Sequence, residues 1–150
     1  RSISSKRGIA VMQLRAARML GAFGFLRQIF EVFERHEIVV DVLATSEVSV
    51  SLTVDPSPRL EAVMRDLAPI GEVTLREGRS IVAVVGRGIR DTPGIAARVY
   101  QAIADVNVEM ISLGASVTPV SFPSLATAGL LATAEEISVV SAGKCRVATA

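Results

Sequence analysis

Phe25 to Asp55 reads "FLRQIFEVFERHEIVVDVLATSEVSVSLTVD", and its two halves follow different periods. Over Phe25–His36 the side chains Phe25, Ile29, Val32, Phe33 and His36 recur at helical spacing, leaving Arg27, Gln28, Glu31, Glu34 and Arg35 for the wet side, as in an amphipathic helix. From Val48 onward the period falls to two. Val48, Val50, Leu52 and Val54 share one face, and Ser49, Ser51, Thr53 and Asp55 the other, the pattern of a half-buried strand. Between the two lies "IVVDVLATS", Ile38–Ser46, an apolar run of strand length with Asp41 in its middle. The order is therefore helix, strand, strand, with Thr45, Ser46 and Glu47 at the junction of the strands.

Working outward, "GIAVMQL" (Gly8–Leu14) is a strand preceding the irregular "RAARMLGAFG". On the other side "DPSPR" (Asp55–Arg59) breaks the chain. Leu60, Val63, Met64 and Leu67 then form the stripe of a second helix, Pro69 and Gly71 end it, and "EVTLRE" is a fourth strand. This βαββαβ order predicts an α+β fold of the ferredoxin-like kind, an antiparallel sheet of four strands with two helices on one face.

The chain then repeats itself. Laying Gly24 over Gly94, an offset of 70, brings Phe25, Ile29, Phe33, Ile38, Val40 and Leu52 onto Ile95, Val99, Ile103, Val108, Met110 and Phe122. "SIVAVVG" matches "GIAVMQL" with a loop two residues shorter, and Thr92-Pro93 is the predicted N-cap and first-turn proline of the next helix. Two tandem modules are expected, residues 8–78 and 79–122. Residues 123–150, rich in Ala, Ser and Thr, receive no assignment, because the spacing of Leu125, Leu130 and Leu131 does not decide between helix and strand.

Half of the 150 residues are apolar, enough for a core in one domain or two small ones. A net charge of +1 with no charge cluster argues against nucleic acid or anionic membrane as partners. No apolar run reaches the length of a membrane span, and the single cysteine, Cys145, fits a reducing, cytoplasmic setting. The chain opens on Arg1 rather than Met, as a fragment would.

Catalytic chemistry finds no foothold. His36 and Cys145 are the only residues of their kinds and neither sits in a metal or nucleophile motif. His36 reads as a helix-end residue beside the negative pole of the dipole. "GRGIRDTPG" lacks the spacing of a phosphate loop and reads as a strand-to-helix turn. Ligand binding is better served. The loop "ARMLGAFG", with Gly21 and Gly24, lets a carboxylate approach the amides of a helix N-terminus. Asp41 and Glu47 are the anions available for amino groups; under the alternative, Asp41 is a solvent-face residue and Glu47 a turn residue. In the repeat alignment they fall on Ile111 and Val117, so the second copy has neither.

These residues resemble a known family. "RMLGAFGFLRQIFEVFERHEIVVDVLATSEVSVSLTVD" is similar to the first ACT module of aspartate kinases, particularly the lysine-sensitive class, and "GRGIRDTPGIAARVYQAIADVNVEMISLGAS" resembles the second. The resemblance covers residues 1–116. It implies the regulatory region of an enzyme that makes 4-phospho-L-aspartate from L-aspartate and ATP, with ATP and magnesium held by a kinase domain not in this sequence. No catalytic residue, metal ligand or cofactor is then expected in the fragment. It further implies that "RSISSKRG" contributes residues 1–7 to the second module, and that two ACT modules of a homo-oligomer meet at the effector site. The residues carried over to that site are Met19, Ala22, Gly24, Phe25, Leu26, Val40, Asp41, Thr45, Ser46 and Glu47. Ala22 stands where some relatives have a serine. L-Lysine suits the site by charge and threonine ranks second; a purely structural ACT pair that senses nothing is the other reading. The tail departs from the family, and Pro119 and Pro123 predict that the strand expected there is an edge strand or cut short.

Overall fold

The computed structural model describes residues 2–17, 22–87, 92–117 and 126–135. Its elements are β1 (Ser2–Arg15), α1 (Phe25–Arg35), β2 (Val40–Thr45), β3 (Ser49–Val54), α2 (Leu60–Leu67), β4 (Glu72–Arg87), α3 (Ile95–Ala102), β5 (Val108–Val117) and β6 (Ala126–Glu135). The chain divides into two compact units, Gly8–Arg79 and Arg1–Arg7 with Ser80–Ala150.

In the unit Gly8–Arg79 the strands lie in the order β2-β3-β1-β4. β3 pairs antiparallel with β1 from Ala10↔Val54 to Arg15↔Ser49 and with β2 from Val40↔Val54 to Thr45↔Val50. The alternation of β3 thus faces one way across three strands. Val50, Leu52 and Val54 are completely buried with Met12 and Leu14 of β1. They pack in one core with Ile29 and Phe33 of α1 and with Leu60, Val63 and Leu67 of α2. Burying each such side chain stabilises the fold by about 1.5–3 kcal/mol relative to exposure.

The end of α1 is fixed by its own backbone. The Glu37 amide donates to the Glu34 carbonyl at 2.9 Å and the Ile38 amide to the Phe33 carbonyl at 3.0 Å, the paired bonds of a Schellman motif. Glu37 occupies the left-handed position, φ 54°, where glycine is usual. Arg59 holds it from outside, donating to the Glu37 carboxylate at 2.7 Å and to the His36 carbonyl at 3.2 Å. His36 is the C-cap, as a helix-end residue should be, and its Nε2 lies 2.9 Å from Asp66 Oδ2 on α2. Arg35 donates to the same oxygen at 3.3 Å. The His36 hydrogen bond, assisted by the charges of His36 and Arg35, lowers the Asp66 carboxyl below its ordinary value.

The second unit contains the start of β1 (residues 2–7), the remainder of β4, then α3, β5 and β6, with strand order β1-β4-β6-β5. β5 and β6 pair antiparallel from Val108↔Ala134 to Val117↔Ala126, and Val84 and Val99 form a small core with Ile95 packed on it. Four expectations change here. "EVTLRE" and "SIVAVVG" are one continuous strand, because the polar Glu77-Gly78-Arg79 between them does not reverse the chain. Part of the unassigned tail is strand β6, so the unit extends beyond residue 122. β6 starts after Pro119 and Pro123 and takes an inner position instead of an edge, which is possible because Ala126–Glu135 contains no proline and every residue can donate to a ladder. The helix cap also differs: Gly94, at φ 78°, is the N-cap of α3, and Thr92 and Pro93 precede it.

A Cβ on Gly71 would stand 2.4 Å from the Arg15 carbonyl oxygen, a backbone atom with no room to yield. Gly71→Ala is expected to cost about 1–3 kcal/mol as an overpacking substitution, measurable as a lowered urea midpoint. The Asp66 carboxyl titrates lower in the folded than in the unfolded chain. Its contribution is therefore present above the unfolded value near about 3.9 and is lost as pH falls through the folded value. Asp66→Asn is expected to flatten the acid limb of a Tm-against-pH profile below about pH 4 and to remove the same contribution at neutral pH.

Candidate functional site

The first strand delivers the chain to one end of the sheet. Arg15 pairs with Ser49, and the Ala16 amide donates to the Val48 carbonyl at 2.9 Å. The loop into α1 thus departs beside the turn that joins β2 to β3. Met19 and Gly21 of that loop lie outside the described residues; Ala22 and Phe23 are exposed.

Gly24 is the N-cap of α1, at φ 74° and ψ 10°, with no side-chain capping bond and no acidic residue in the first turn. The first-turn amides lack the side-chain oxygen that Ser, Thr or Asp would supply, so this helix start favours an anion. Phe25 turns into the core at 8% exposure while Leu26 is 37% exposed. Across the junction, Ser46 closes the turn: its amide donates to the Ser49 carbonyl at 2.8 Å, and the Ser49 amide donates to Ser46 Oγ at 3.1 Å. The two hydroxyls are 2.7 Å apart. The Ser46 side chain thus has a structural task, and Thr45 and Glu47 are exposed on either side of it.

Asp41 finds its explanation in the ladder. β2 and β3 shift register between Val40, paired with Val54, and Val42, paired with Thr53. Asp41 is the extra residue of a β-bulge, which interrupts the ladder and re-aims the side chain. It is exposed although its neighbours are half-buried. The bulge is braced by Thr53, whose Oγ1 accepts from the Val42 amide at 2.9 Å. Thr53 is completely buried, a supporting residue that strict alternation had assigned to the wet face. An acid inside an apolar strand, facing a threonine on the next, was the signal for it.

Within one chain the candidates form two groups. Ala22, Gly24, Phe25 and Leu26 at the entry to α1 form one; Thr45, Ser46 and Glu47 at the β2–β3 turn form the other with Val40 and Asp41, which lie four residues back along β2, about 13 Å at strand rise. β2 is the outer strand of its sheet.

The same geometry corrects the repeat alignment. Gly94 caps α3 as Gly24 caps α1, both left-handed, and the Arg98 amide bonds the Gly94 carbonyl as Gln28 bonds Gly24. β5 has a register shift between Val108 and Met110 that matches the one in β2. The bulged residue there is Glu109, so the second copy does carry an acid at the place of Asp41; a two-residue shorter approach to the strand hid it at a fixed offset of 70. Among the described residues no cluster of His, Cys, Asp and Glu could hold a metal. A cavity of about 670 Å³ near Leu60, Glu61, Met64, Leu75 and Glu77 contains none of the candidates.

The ACT domain family model matches residues 82–123. Aspartokinase 1, chloroplastic, of Arabidopsis thaliana is 40% identical over 132 residues, covering 81% of this chain and 23% of that protein. The chain thus spans about a quarter of the length of this curated relative. A solved structure assigned as a C-terminal regulatory domain of aspartate kinase from Porphyromonas gingivalis W83 is 35% identical, with TM-score 0.67 over 87% of this chain and 84% of that one. Escherichia coli aspartokinase III in complex with lysine and aspartate is 28% identical, with TM-score 0.67, covering 87% of this chain and 29% of that one.

Thr53→Val keeps the shape of the side chain and removes the acceptor of the Val42 amide. The cost expected for a donor left without its partner is about 1–3 kcal/mol, read as a lowered Tm; a change within experimental error would mean that the hydroxyl does not brace the bulge.

Proposed function

The chain belongs to the ACT-domain regulatory regions of the aspartate kinases, and we propose that it binds an end-product amino acid, L-lysine, for feedback inhibition of a kinase domain that phosphorylates L-aspartate with ATP and magnesium. The whole protein is read as a cytoplasmic enzyme of aspartate-family amino-acid biosynthesis, with the fragment's role regulatory. One observation carries the reading. The chain leaves β1 beside the turn bearing Glu47 and leads on to an uncapped helix start, so an anion and an anion-attracting group are read as serving one site. A zwitterionic amino acid offers the two complementary charges. A second carboxylate, Asp41, would meet the second ammonium group that distinguishes lysine from threonine.

The 13 Å between Asp41 and the junction argues that one chain does not surround the ligand alone. A second copy, approaching along the outer strand β2, would complete it. The lysine complex of the Escherichia coli relative supports the choice of effector.

Titration calorimetry tests the assignment. Lysine is expected to bind saturably, and Asp41→Ala to weaken it on the order of ten-fold or more, the loss of one charge-assisted hydrogen bond. At a lysine concentration of about 100 Kd the stabilisation should reach about 2.7 kcal/mol and raise the Tm. Threonine, methionine and aspartate run in the same thermal screen. A larger shift with threonine would replace the effector, and no shift with any of them would leave a structural oligomerisation module.

A further inference from the structure

A cavity of about 670 Å³ opens within the unit Gly8–Arg79, bounded by the loop that leads into α2, by α2 itself and by β4. Small-molecule sites commonly measure about 300 to 1,000 Å³. The floor is apolar: Leu60 lies there at 1% exposure, and Met64 and Leu75, both half-buried, pack against the core of the unit. An unbranched methionine adapts to the outline of a guest. Pro56, Ser57 and Pro58 form the wall, and a proline fixes φ and carries no N–H. Ser57 fastens this wall to the helix, its carbonyl accepting from the Leu60 amide at 3.1 Å and its Oγ from the Arg59 amide at 3.2 Å. The groove is therefore preformed, and its wall is poor in donors.

The charge at the groove has one sign. Glu61, in the first turn of α2, and Glu77 of β4 both line it, and no lysine, arginine or histidine does. Both acids are exposed. Among the described residues neither is paired with a base, whereas Glu31, Glu37 and Asp66 each are. Arg79 donates to the backbone carbonyl of Glu77 at 3.2 Å. Glu61 complements the positive end of its helix; Glu77, within a strand, has no such task. An ionised carboxylate only accepts hydrogen bonds, so a guest here must donate to two acceptors and cover an apolar floor. Among the described residues no third acid or imidazole joins the two to hold a metal ion, which leaves an organic cation.

We propose that the groove between α2 and β4 is a second binding site of this chain, for a small organic amine carried on an apolar body. The ammonium group lies against Glu61 and Glu77, and the body covers Leu60, Met64 and Leu75. A carboxylate on the same guest is repelled, which separates this site from one that takes a zwitterionic amino acid.

Amide NMR shifts of the full chain test it, with phenylbutylamine as the probe and no amino acid added. The amine is expected to bind saturably and to move the amides of Ser57, Glu61, Met64, Leu75 and Glu77 before any others. Phenylbutanol has the same body without the charge, and phenylbutyrate reverses it; each is expected to bind about five-fold more weakly or worse, the scale of two partly screened ion pairs. Glu61→Gln with Glu77→Gln keeps the shape of both side chains and should abolish the preference for amine over alcohol. No saturable shift, shifts centred elsewhere, equal affinity for amine and alcohol, or a preference retained in the double variant would overturn the site. Shifts of the same amides on raising the chain concentration alone would also overturn it and give the groove to a second copy. A lysine-bearing peptide that binds there about ten-fold tighter than the amine would give it to a protein segment instead. If the double variant fails to fold, Glu77→Gln alone takes its place, and the comparison of amine with alcohol on the unsubstituted chain still decides. None of the residues proposed for the effector lines the groove, and lysine is absent throughout, so failure of the effector reading leaves these outcomes untouched.

Discussion

The register of β3 governs the first unit. This six-residue strand pairs on one edge with β1 and on the other with β2, so a slip of one residue would turn Val50, Leu52 and Val54 out of the core and bring Ser49 and Ser51 into it. Three completely buried side chains hold it in place. Everything proposed for the ligand site follows from that setting. Arg15 is brought opposite Ser49, the loop into α1 leaves beside the β2–β3 turn, and the Thr53 hydroxyl meets the amide that the bulge would otherwise strand.

Much of this was legible because it depends on period. The stripe of α1, the alternation of β3 and the stripe of α2 are each set by burial on one face, and burial leaves a periodic trace. The features that escaped depend on individual contacts or on continuity. Thr53 looks like a wet-face residue until its partner amide is known. Glu77-Gly78-Arg79 has the composition of a turn but lies within a single strand. Residues 126–135, small and weakly patterned, gain their strand identity from pairing with β5 rather than from any alternation of their own. The candidate site was legible mainly through resemblance, since residue chemistry alone singled out Asp41, Glu47 and the glycine loop and left the rest unmarked.

The two units are variations on one design. Each starts its helix from a left-handed glycine and follows it with a strand bulged at an acidic second residue, Asp41 in one case and Glu109 in the other. Equivalence in structure survives a change of loop length that breaks equivalence in position. A fixed offset compares numbers, whereas the bulge compares roles; by role, the second unit retains the acid that the first is proposed to use.

The same bulge bears on how an outer strand stays selective. β2 lies at the margin of its sheet, and a long flat margin offers a template on which strands from any chain could add without limit. Six residues interrupted at the second make a poor template. Whatever pairs with this margin must fit a kinked edge with a carboxylate standing out from it, and runaway sheet growth does not meet that condition. The bulge at Asp41 thus blunts the margin against unlimited strand addition at the same residue that is proposed to meet the ligand.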